Sequence, residues 1–85
     1  MKKLDPLKYG LNSRIKLFQN TDKEVFLTIN RKSRFIMKDG KRIFDIAEKI
    51  KKIDPYKKFH LKTSAPVCSK TKVYLNQKKI IIEPI

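Results

Sequence analysis

Most of the residues able to do chemistry fall in one stretch. Residues 57–75 hold the chain's single His (His60), its single Cys (Cys68), four hydroxyl residues (Thr63, Ser64, Ser69, Thr71) and five lysines, with no acid among them. The pattern reads as a strand, a polar corner and the start of a helix. A thiol at a helix start beside lysines is the setting in which Cys ionises and becomes a nucleophile. Packed beside Val67, Thr71 and Leu75, the same thiol would be an inert core group. Burial is the expectation, because the sequence supplies neither a second Cys nor an acid–base partner. His60 alternates with Phe59 and Leu61, which assigns it to the outer face of its strand as a surface residue. With no Cys, Asp or Glu close by in sequence it makes neither a metal set nor a catalytic triad. The eight carboxylates read as caps and helix pairs, and no two converge for acid–base work. The expectation therefore leans away from an enzyme, with no cofactor and no metal. Cys68 is the one position where catalysis stays open.

Anion binding has more support. A helix start offers free N–H groups and a favourable dipole, and Thr63, Ser64 and Ser69, helped by Lys62 and Lys70, lie where they would supplement it. Ser64 or Ala65 as a plain N-cap is the competing reading, and the chain has no glycine-rich phosphate loop. A second basic group is the bend Arg31-Lys32-Ser33-Arg34, with Lys38, Lys41 and Arg42 close behind. Arginine grips phosphate in a bidentate fashion; the alternative is a solvated turn. Lys58, Lys62, Lys70 and Lys72 complete the set of candidate nucleic-acid contacts.

Charge sets the class of partner. Twenty-two Lys and Arg against eight Asp and Glu give a formal +14, and residues 55–82 contain no acid. Self-repulsion at that density opposes compaction, and a polyanion relieves it. Nucleic acid is the leading partner, with an acidic membrane surface or an acidic protein next. Eighteen of the cations are Lys and four are Arg. Arg is the usual base reader, so the bias favours phosphate contact over sequence reading. One Cys excludes a disulfide framework and suits a reducing compartment. Met1-Lys2-Lys3-Leu4-Asp5-Pro6 does not open an apolar leader, and no window approaches the roughly 20 apolar residues of a membrane span. The expected location is cytoplasmic.

The elements that must position these groups follow from periodicity. Residues 1–12, with Asp5-Pro6 and Tyr9-Gly10 as turn signals, read as a loosely ordered arm, and residues 13–85 as one domain. Residues 13–18 are a short edge strand and Asn20-Thr21-Asp22 a turn. In residues 24–30, Val25, Leu27 and Ile29 share one face of a strand, and Phe26 and Thr28 the other. Residues 34–37 pair back as a strand or begin a helix, and Asp39-Gly40 favours a break. Ile43, Phe44, Ile46, Ala47, Ile50 and Ile53 make one stripe of a helix over 41–53, with Asp39 as N-cap and Pro55 as the stop. Residues 58–63 form the next strand. A second helix follows with Pro66 in its first turn, turning Val67, Thr71, Tyr74 and Leu75 inward and ending at Asn76-Gln77. The run Ile80-Ile81-Ile82 reads as a strand covered on both faces. The fold class is α/β in the two-layer α+β sense, a small mixed sheet with two helices on one face.

Two local resemblances accompany this reading. Residues 24–34, followed by Gly40-Lys41-Arg42-Ile43-Phe44-Asp45-Ile46-Ala47-Glu48-Lys49-Ile50, are similar to the first strand and helix of the C-terminal domain of translation initiation factor 3. The basic strand, bend and amphipathic helix also resemble Alba-type chromatin proteins. These families imply RNA or DNA binding without catalysis. Ala65-Pro66-Val67-Cys68-Ser69-Lys70-Thr71 resembles the active-site helix of glutaredoxins and thioredoxins, with Thr71 where a second Cys would stand. That likeness implies a thiol-redox role for Cys68. The leading expectation is a non-catalytic nucleic-acid-binding domain, RNA ahead of DNA. The alternatives are an adaptor for an acidic partner and a thiol-redox or anion-binding protein centred on Cys68.

Overall fold

A computed structural model of the chain describes residues 2–20 and 23–85. The expected turn at 20–22 lies at Thr21 and Asp22 outside the described residues. Among the described residues, five strands form one sheet in chain order: β1 (Lys2–Leu4), β2 (Leu17–Gln19), β3 (Glu24–Ile29), β4 (Lys58–Thr63) and β5 (Ile81–Pro84). β2 pairs antiparallel with both β1 and β3, whereas β3, β4 and β5 are parallel. The parallel pairs require crossovers, supplied by α1 (Met37–Ile53) and α2 (Ser69–Gln77). Two right-handed crossovers stepping the same way along a sheet place both helices on the same face. The mixed sheet with two helices on one side is the architecture that the hydrophobic pattern predicts.

The alternation in β3 and β4 decides which face is covered. Val25 and Leu27 pair with Phe59 and Leu61, and all four join Leu17, Ile43, Ala47, Ile50, Leu75 and Ile80 in one core. The helix stripe packs on them except at its end, where Ile53 stands half exposed. On α2, Thr71 and Leu75 are fully buried and Tyr74 partly so.

Several expectations need correction. Residues 2–12 are not a loose arm: they form edge strand β1 and a 3-10 turn, Pro6–Tyr9, that Asp5 caps by accepting from the Leu7 N–H. Tyr9 and Leu11 from this segment are buried in the core. The chain does not break at Asp39-Gly40, because α1 already begins at Met37 with Ile36 at the cap position. Asp39 is the third helical residue, not the cap, and its carboxylate accepts from the Ile36 N–H at 2.9 Å. Gly40 sits mid-turn because α2 crosses there: a Cβ would lie 2.8 Å from Thr71 Cγ2. The second helix starts at Ser69 rather than at Ser64 or Ala65. Residues before it stay extended because Val67 bridges to Phe35, with Phe35 N–H donating to Pro66 O and Cys68 N–H to Phe35 O, each at 2.9 Å. β5 is an edge strand, so Ile81 is exposed rather than covered on both faces.

Candidate nucleic-acid interface

All three parallel strands point their carboxyl ends the same way, and both strand-to-helix loops and both helix starts lie at that edge. Ligands of open α/β sheets gather at this edge. The Phe35–Val67 bridge ties the loop after β3 to the loop after β4, and the Ser64 hydroxyl adds a second tie by donating to Asn30 Oδ1 at 2.6 Å. The sequence-selected cations assemble there. Lys32 and Arg34 stand exposed on the first loop, and Lys38, Lys41 and Arg42 on the first turns of α1. Lys70 and Lys72 are exposed on the first turn of α2, and Lys62 occupies the end of β4. Lys58 is the exception, since it starts β4 and so lies at the opposite edge.

Arg31 belongs to the cluster by position but is held by the protein. Its guanidinium lies 3.9 Å over the Phe35 ring, pairs with Asp39 at 2.9 Å, and donates to the Ser33 and Arg34 carbonyls. The same contact, with the Ile36 N–H, holds the Asp39 carboxyl below the usual carboxylate range. Arg31 therefore shapes the bend on which Lys32 and Arg34 project. Of the hydroxyls, Thr63 is buried and its oxygen accepts from the Ala65 N–H at 3.0 Å. Ser64 is exposed with its proton directed at Asn30, and Ser69 is exposed as the first residue of α2.

Cys68 occupies the N-cap position of α2 and is partly exposed, contrary to the expected core thiol. The late helix start moves it off the apolar stripe. The backbone N–H groups of Lys70 and then Thr71 hold its pKa below the ordinary thiol value, and the Arg34 charge adds to them. The structure brings no second thiol or His to it: His60 lies on the sheet, engaged elsewhere.

The helix-free face carries a feature that the linear pattern did not reveal. Register aligns Lys3, Phe18, Phe26, His60 and Ile81 in one row across the five strands. His60 stacks on Phe26 with centroids 4.5 Å apart, and Lys62 Nζ lies 5.0 Å from the Phe26 centroid. His60 is on the outer face, as its alternation implies, but it is not a surface residue: it is only 4% exposed. Its Nδ1 sits 3.1 Å from Glu83 Oε1. Nε2 is 2.9 Å from Glu24 Oε2, though out of line for a hydrogen bond. The alternation of β3 already separated Phe26 from Val25 and Leu27. The neighbours Phe18 and Glu83 come from pairing partners that no local pattern names. Among the described residues, no three of His, Cys, Asp and Glu gather as a metal-binding group, and no helix is long and apolar enough to cross a membrane.

A depression adjoins the basic edge. It is a cleft of about 500 Å³ between α1, the end of β3 and the segment before β2, and it is lined by Arg14, Arg31 and Arg42 as well as Lys16. Arg14 and Lys16 were not among the sequence candidates, because they lie far from the bend in sequence. Searches with the chain found no matching family model, curated protein or solved structure.

Proposed function

We propose that the chain is a non-catalytic nucleic-acid-binding domain, with single-stranded RNA ahead of DNA, whose basic carboxyl edge grips the phosphate backbone. The observation that carries this reading is the convergence of Lys32, Arg34, Lys38, Lys41, Arg42, Lys70 and Lys72 on one edge. The helix-free aromatic row favours an unpaired strand. Unstacked bases rest on aromatic rings, and Phe18 is the aromatic of the row that is partly open.

The test compares two variants of equal charge loss. Replacing Lys32, Lys70 and Lys72 by Ala empties part of the edge. Replacing Lys49, Lys51 and Lys52 by Ala removes the same charge from the later turns of α1. All six side chains are exposed, so both variants fold. Affinity for a mixed-sequence RNA falls with salt, with a logarithmic slope of roughly −0.7 per phosphate neutralised. The edge variant loses affinity and flattens that slope, while the α1 variant changes little. Equal effects would show mere charge attraction and remove the edge as the interface. Absence of binding at about 50 mM salt would remove the function itself.

A further inference from the structure

We infer that the cleft beside the basic edge is a single-nucleotide pocket, taking the base against its isoleucine walls and the phosphate on Arg14, Lys16 and Arg42. This deepens the preceding reading and rests on it, since the nucleotide is taken as one residue of the bound strand. Three observations carry it.

The first is size and shape. At about 500 Å³ the cleft falls within the range of small-ligand sites, about 300–1,000 Å³. The second is the two-part lining. Leu27, Phe35 and Ile43 are buried beneath it, and Ile15, Ile29 and Ile46 are partly exposed around it. They give an apolar surface that a phosphate alone would not use. The third is the choice of cation. Only four of the chain's 22 basic residues are Arg, yet Arg14, Arg31 and Arg42 all line this cleft. A planar guanidinium both forks onto phosphate and stacks on a base, which an ammonium does not.

The polar groups sharpen the class of ligand. Asp39 is the acid among the described residues of the lining, and it is consumed by Arg31 and the Ile36 N–H. Asn12 Oδ1 accepts from the Arg14 N–H at 2.9 Å, and Asn30 Oδ1 accepts from Ser64. Each carboxamide thus keeps its NH₂ as the group left to offer. A cleft of cations and amide donors over an apolar floor selects an acceptor-rich anion with a flat apolar body. A nucleoside monophosphate unit has that chemistry.

The experiment titrates the protein with adenosine 5′-monophosphate, inorganic phosphate and decanoate, following backbone amide and methyl NMR shifts. The nucleotide should move Ile15, Ile29 and Ile46, and it should bind more tightly than phosphate. Arg14→Gln with Arg42→Gln should weaken it by about tenfold or more, the size expected when charged hydrogen bonds are removed. The α1 variant at Lys49, Lys51 and Lys52 should leave it unchanged. Phosphate binding as tightly as the nucleotide, or decanoate shifting the isoleucines where the nucleotide does not, would overturn the pocket. RNA binding without any nucleotide response would sink this inference alone. Nucleotide binding without RNA binding would keep the pocket and remove the interface reading.

Discussion

Tyr9 and Asp54 show how one polar contact fastens the N-terminal segment to the end of α1. The phenol donates to Asp54 Oδ2 at 2.7 Å, and Lys57 Nζ approaches the same oxygen at 3.4 Å. Burial, with the Asp54 contact second, pushes the Tyr9 phenol well above its ordinary pKa, and that hydrogen bond holds the Asp54 carboxyl below its own. The signs differ. The Asp54 contribution is present above the ordinary carboxylate value of about 3.9 and is lost as pH falls through the lowered folded value. The Tyr9 contribution is complete below the phenol's ordinary value of about 10 and is lost as pH rises past it. Tyr9→Phe should cost about 1.5 kcal/mol at neutral pH, the lower end for a hydrogen bond to a charged group. Urea unfolding of both proteins from pH 3 to pH 8 checks this. The gap should narrow toward pH 3 as Asp54 begins to protonate; a constant offset would assign the loss to packing instead.

At the scale of elements, the crossing of α1 over α2 depends on Gly40. Gly40→Ala gains helix propensity of about 1 kcal/mol but drives a methyl to 2.8 Å from Thr71 Cγ2. Thr71 is fully buried on α2 and has little room to yield. Overpacking of this kind costs about 1–3 kcal/mol, so the net change should be a modest loss of stability. Adding Thr71→Ser, which deletes that methyl, should recover more than it costs. If Gly40→Ala alone raised the melting temperature, close helix approach would not be the reason for glycine here. The same residue explains a limit of reading elements from sequence. Asp39-Gly40 looks like a break because the pattern registers Gly's flexibility and is blind to a second helix far along the chain. The strands over 24–29 and 58–63 were legible since alternation is local. The start of α2 was not, because Pro66 and Ser64 signal a helix onset that the long-range Phe35–Val67 bridge postpones. Of the site, the cations of the bend and of α2 were visible as charge runs. That they share an edge with each other but not with Lys58 follows only from strand direction.

For the whole molecule the governing quantity is the +14 charge on 85 residues. Among the described residues, the ion pairs Arg31–Asp39 and Lys57–Asp54 relieve little of it. Repulsion among exposed lysines is screened over about 10 Å at 0.1 M salt. The melting temperature should therefore climb as sodium chloride rises from about 10 mM to about 150 mM, both within the range where screening changes most. A polyanion that binds the folded state should raise it further at fixed salt. A melting temperature that fell with added salt would mean that favourable pairs outweigh the repulsion.

The sheet order also bears on how the chain reaches this structure. β1 to β5 lie side by side in the order in which they occur, so every strand pairs only with its neighbours in sequence. No strand must be threaded between two that are already joined. The β1–β2–β3 meander closes over short separations, and each strand–helix–strand unit then adds to the growing edge. Entropic loop costs are met one crossover at a time. A chain emerging N-terminus first would expose each new strand to a finished partner.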